Sequence, residues 1–74
     1  MYKIKVILDT QGDIAEFVNI ASTIKEDVYL EDGANYRANA KSLLGVMYGM
    51  TEFKELHVLS EDSSIANKFS RFRA

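Results

Sequence analysis

The sequence predicts a small α+β domain in which one antiparallel four-stranded sheet carries helices on one face, in the order β-α-β-β-α-β-α. Three observations predict it. The opening run alternates apolar and polar residues with a period of two. Two later segments repeat apolar residues with the period of a helix. Between them lie two β-rich runs separated by a Gly-containing turn. Strand-and-helix units on either side of a hairpin leave one sheet face for the helices to cover. On pattern alone, a ferredoxin-like α+β domain is the alternative.

In the first strand, Tyr2, Ile4, Val6 and Leu8 fall on one side and Lys3 and Lys5 on the other, the mark of a half-buried antiparallel strand. Asp9-Thr10-Gln11-Gly12 reads as a turn. Asp13 then reads as an N-cap, with Glu16 completing a capping box. Ile14, Phe17, Val18, Ala21 and Ile24 form the apolar stripe of a helix ending near residues 23–25. Val28-Tyr29-Leu30 is a strand, Asp32-Gly33-Ala34-Asn35 a turn, and Tyr36-Arg37-Ala38 the returning arm.

Ser42 caps the second helix. Leu43, Leu44, Met47 and Met50 read as its apolar stripe, Val46 falls off that stripe, and Gly49–Thr51 reads as its end. These residues carry more apolar surface than one buried face needs, so part of it is expected to be exposed. Glu55–Leu59 is a further strand, with Leu56 and Val58 on one side. Ser60-Glu61-Asp62-Ser63-Ser64 opens a last helix, in which Ile65, Phe69 and Phe72 recur at helical spacing. Acids at its start and Lys68, Arg71 and Arg73 near its end both suit the helix dipole.

The 74 residues are enough for a single domain, 1–74, and one core. A net charge of −2 argues against a general nucleic-acid binder, which needs a basic face. The chain has no cysteine. That excludes disulfides, thiolate metal sites and cysteine nucleophiles, and suits a reducing, cytoplasmic setting. No apolar run approaches the roughly 18–20 residues of a membrane span, and no signal-peptide pattern opens the sequence. No Gly-rich phosphate loop, Ser/His/Asp set or metal-ligand spacing is visible. No cofactor, metal or enzymatic activity is expected.

Lys41-Ser42-Leu43-Leu44-Gly45-Val46-Met47, preceded by Asn39-Ala40, resembles the regulatory-serine helix of the HPr family, the small phosphocarriers of the bacterial sugar phosphotransferase system. That family reads Lys-Ser, two aliphatic residues, Gly, an aliphatic residue and Met. Val18-Asn19-Ile20-Ala21-Ser22 resembles the end of the family's first helix and Asp27-Val28-Tyr29-Leu30-Glu31 its second strand. The resemblance implies an HPr-like open-faced β-sandwich. It also implies a Gly-aliphatic-His-Ala-Arg-Pro run between the first strand and first helix. Here Gly12 and Ala15 match, and the histidine, arginine and proline have no counterpart. Gly12, Asp13, Ile14, Ala15 and Glu16 thus form a degenerate phosphocarrier loop. Asp13 and Glu16 place negative charge where an incoming phosphoryl group would sit.

Ser42 has two readings: a helix cap worth about 1 kcal/mol, and a regulatory phosphorylation site, as the resemblance implies. Lys41, Leu43, Leu44, Val46, Met47 and Tyr48 are candidates for a partner-binding patch, or for core. His57, the sole histidine, reads as a solvated residue on the polar face of the sheet; a relocated phosphoacceptor is its functional reading. The acid pairs Glu26-Asp27, Glu31-Asp32 and Glu61-Asp62 read as caps and solvated turns. The expectation is an HPr-like protein that has lost its phosphoacceptor, a regulatory or protein-interaction module and a monomer or weak homodimer. Its expected partners are proteins, not nucleic acid or membrane. The rivals are an oligomerisation module without a phosphotransferase role, a phosphocarrier using His57, and a small-ligand-binding domain.

Overall fold

A computed structural model of the chain describes residues 1–34 and 36–74. The expected turn at 32–35 includes Asn35, which lies outside the described residues. The elements are β1 (Tyr2–Val6), α1 (Gln11–Ser22), β2 (Val28–Glu31), β3 (Arg37–Asn39), α2 (Leu43–Glu52), β4 (Leu56–Ser60) and α3 (Ile65–Lys68), with a 3-10 turn at Ser70–Phe72. The four strands form one antiparallel sheet in the order β1-β4-β2-β3. The molecule is an open-faced sandwich of the expected element order.

Register sorts the side chains. Ile4 lies opposite Val58, Val58 opposite Leu30, and Leu30 opposite Ala38. With alternation along each strand, Val6, Val28, Leu30 and Val58 turn toward the helices and join Ile14, Phe17, Ala21, Val46, Ile65, Phe69 and Phe72 in one core. Phe17 anchors it, its ring centroid 4.8 Å from that of Phe69 and 5.9 Å from that of Phe72. Lys3, Lys5, Tyr29, Glu31, Arg37 and His57 occupy the opposite, open face.

Helix α1 begins earlier than the sequence predicts. Thr10, not Asp13, is the N-cap: its hydroxyl accepts the Asp13 N–H at 3.0 Å while the Asp13 carboxylate accepts the Thr10 N–H at 3.3 Å. This is a capping box shifted by three residues. Gln11 and Gly12 therefore belong to the first helical turn rather than to a turn before it. The last helix is shorter than predicted. After one α-turn the chain tightens at Ser70–Phe72, so that Phe69 and Phe72 both reach the core. The tail then pairs with the outer edge of β1, where Ile7 N–H donates to Phe72 O at 2.7 Å and Ala74 N–H to Lys5 O at 3.1 Å.

Helix α2 departs most from its sequence reading. Val46 and Gly49 are its buried residues, and Leu43, Leu44, Met47 and Tyr48 are exposed. Positions 46, 49 and 50 also recur at helical spacing; Val46 and Gly49 are buried, and Met50, read from sequence with the outward stripe, packs against the core with them. Two glycines admit the close approach. A Cβ on Gly45 would lie 2.8 Å from the backbone oxygen of Asn39, and one on Gly49 would lie 2.7 Å from Leu30 Cδ2. Gly49 is therefore a packing position inside the helix, not its C-cap. The helix runs on to Glu52 and stops at Phe53, whose backbone is extended. Among the described residues no helix is long and apolar enough to cross a membrane.

Gly45→Ala tests the close contact. Alanine improves intrinsic helix propensity by about 1 kcal/mol, but its methyl meets a backbone oxygen that cannot rotate away. A net loss of about 1–2 kcal/mol is expected in chemical denaturation. A raised midpoint would contradict the packing.

Candidate functional site

Two places come into question: the leading end of α1, where a phosphocarrier would keep its histidine, and the outward face of α2. At the first, a carboxylate of the chain itself stands beside the leading end of the helix. The Asp13 carboxylate accepts N–H bonds from Asp9 at 3.0 Å and Thr10 at 3.3 Å. It also meets Arg71 Nη2 at 2.9 Å, while Arg71 Nη1 reaches Glu16 at 2.9 Å. The guanidinium lies over the Phe72 ring, 4.6 Å from its centroid. Helix N-termini favour negative charge because their first N–H groups lack partners. Here a tethered carboxylate supplies that charge.

This corrects the picture of a corner with unopposed carboxylates. Asp13 and Glu16 are paired, and the cation comes from 58 residues away in sequence. The sequence suggests for Arg71 only a role at the dipole of the last helix. No local spacing reveals its role, which depends on how the C-terminal segment crosses α1. Gly12, Asp13, Ile14, Ala15 and Glu16 are helical rather than a loop, and Ile14 is core. The Asp9 N–H bond first, and then Arg71, hold the Asp13 carboxyl below its ordinary range.

His57 is not part of this corner. It sits on the open face of the sheet, with Lys5 and Glu31 opposite it in the ladder. It is also less solvated than the sequence predicts. The ring is half-buried beside Gly33, and Nδ1 is enclosed without a hydrogen-bond partner. Among the described residues, no group of three or more His, Cys, Asp or Glu side chains could hold a metal ion. Glu31 differs from its reading as a solvated turn acid. It is buried on the open face, between Lys3 Nζ at 3.3 Å and Arg37 Nε at 3.1 Å. Asp62 closes the turn before α3 rather than capping the helix: it accepts the Ser64 N–H at 2.8 Å and the Ser64 hydroxyl at 2.7 Å, and Ser64 is the N-cap.

On α2, the exposed fractions are Leu44 77%, Tyr48 59%, Leu43 50% and Met47 43%. Such exposure on a helix of 10 residues makes a continuous apolar surface rather than scattered side chains. Leu43 and Met47 also line a groove of about 270 Å³ with Gln11, Ile14 and Ala15 of α1. Two candidates drop out of the surface. Val46 is fully buried because the glycine side of the helix turns it to the sheet. The Lys41 ammonium donates to Ile24 O at 2.6 Å, which ties it beyond the C-terminal end of α1. Ser42 caps α2, its hydroxyl accepting the Gly45 N–H at 3.2 Å. No protein-family model matches the chain, and comparisons with curated proteins and with solved structures give no significant match.

The Asp13 arrangement has a pH signature. A carboxyl with a lowered folded value stabilises the fold above its unfolded value, about 3.9, and that contribution is lost as pH falls through the folded value. Asp13→Asn should therefore be less stable than the parent at neutral pH, with the gap closing below about pH 4. Denaturation midpoints across that range measure it, and a gap independent of pH would contradict the assignment.

Proposed function

We propose that this chain is a divergent HPr-like module of the bacterial cytoplasm, without phosphocarrier chemistry, that acts by protein–protein contact. The contact surface is the outward face of α2 with the adjoining start of α1. One observation carries the reading: Leu43, Leu44 and Met47 are exposed together, and their surface continues across the groove onto Ala15 and Gln11. A contiguous apolar patch of this kind on a small domain marks a binding site more often than chance exposure does. The Ser42 motif supports the family, because it places this patch where HPr proteins meet their partners. The strand and helix order is also the one the resemblance implies.

The same motif gives Ser42 a regulatory role in this reading. A phosphate there would lie at the positive end of α2, next to Leu43. It would change the charge of the contact surface without unfolding the helix. Loss of phosphotransfer follows from the α1 corner, where a fixed carboxylate takes the place of an imidazole and its phosphate. Arg71 is not free to receive a phosphoryl group, since both its arms are engaged.

The test uses purified phosphotransferase enzyme I with phosphoenolpyruvate. Binding is expected, with amide shifts confined to α2 and the start of α1, and no histidine-linked phosphate forms. Leu44→Glu should weaken binding by roughly tenfold or more while changing stability by less than about 0.5 kcal/mol. A phosphate on His57, or full binding by Leu44→Glu, contradicts the proposal, and no binding removes the phosphotransferase link. The same exposed leucines favour one second reading, self-association. A sedimentation mass that rises with concentration, and does not rise for Leu44→Glu, would assign the patch to a second copy.

A further inference from the structure

Beyond Tyr48, α2 and the β2–β3 connection bound a separate cleft of about 230 Å³ lined by Asp32, Tyr36, Tyr48, Glu52 and Phe53. The sequence gives no hint of it. Three rings and two carboxylates converge from segments far apart in the chain. Tyr48 and Phe53 meet edge to face, with centroids 6.0 Å apart and planes at 87°. Tyr36 is 71% exposed and Tyr48 59%, so both tyrosines lie at the surface rather than in the core. Asp32 is held in place by its own loop, accepting the Ala34 N–H at 2.8 Å. Among the described residues no lysine or arginine forms an ion pair with Asp32 or Glu52.

We propose that this cleft receives a basic side chain, an arginine above all, from a protein partner. Aromatic faces carry a negative quadrupole and attract cations. Two carboxylates at the rim add to that field and repel anions. A neutral apolar ligand would leave both carboxylates without a role. A guanidinium can stack on a tyrosine ring while its fork bonds a carboxylate, which a compact ammonium cannot do. The volume suits a side-chain head group and is below the roughly 300–1,000 Å³ of ordinary small-molecule pockets. The chain itself offers the precedent of Arg37, whose guanidinium lies 5.4 Å from the Tyr29 ring centroid while its Nε bonds Glu31 at 3.1 Å. The proposal rests on the interaction-module reading for the source of the cation. The cleft's preference for a cation is tested apart from it.

Labelled protein is titrated with N-acetyl-arginine methylamide and, separately, with the citrulline analogue, which keeps the shape and lacks the charge. Saturable amide shifts at Asp32, Tyr36, Tyr48, Glu52 and Phe53 are expected with arginine, with affinity roughly threefold or more above that for citrulline. Glu52→Gln and Tyr48→Leu should each abolish the preference. Leu44→Glu, which removes the α2 patch, should leave it intact. Equal response to citrulline, no saturable response, an unchanged preference in Glu52→Gln, or loss of the response in Leu44→Glu would each overturn the proposal. Loss of enzyme I binding with the arginine response intact would count against the phosphotransferase link alone.

Discussion

The contact between the glycine side of α2 and the sheet decides what this molecule shows to its surroundings. At Gly45 the helix comes so close to the Asn39 backbone that a Cβ has no room, and at Gly49 a Cβ would have to displace the Leu30 side chain. Close approach sets the rotation of the helix about its axis. Once the glycines face inward, Val46 follows them, and Leu43, Leu44 and Met47 have nowhere to go but out. The exposed patch is thus a consequence of core packing. The outward leucines forgo part of a burial worth about 1.5–3 kcal/mol for a fully buried side chain.

A second constraint closes the other end of the domain. The capping box ties the Asp13 N–H to the Thr10 hydroxyl and the Thr10 N–H to the Asp13 carboxylate, and Arg71 from the far end of the chain secures that carboxylate. Because Phe72 is core and lies next to Arg71, the pairing is held by the packing of Phe17, Phe69 and Phe72. The leading end of α1 is a structural joint between this helix and the C-terminal segment.

The legible parts of the sequence were those governed by local periodicity. The alternation from Tyr2 to Leu8 and the stripe of Ile14, Phe17 and Ala21 gave β1 and α1 with the correct inward faces. The hairpin and β4 followed from short β-rich runs. Misreadings arose where two registers competed. Thr10-to-Asp13 and Asp13-to-Glu16 are both capping-box spacings, and α2 carries both an aliphatic stripe and a glycine stripe. A hydrophobicity rule picks the bulkier stripe; packing against a sheet picks the one that fits. Non-local partners left no trace in the sequence: Arg71 for Asp13, Lys3 for Glu31, and Tyr36 for the cleft beside Tyr48.

The orientation of α2 is open to a direct measurement, because the chain has no cysteine of its own and a single introduced thiol reports on one position. Leu44→Cys and Val46→Cys are compared by their rate of alkylation under native conditions. Leu44→Cys should react at the rate of a free thiol. Val46→Cys should be protected until the domain opens, by a factor that reports its stability. Rapid labelling of Val46→Cys together with protection of Leu44→Cys would contradict the account, since the apolar patch would then be core.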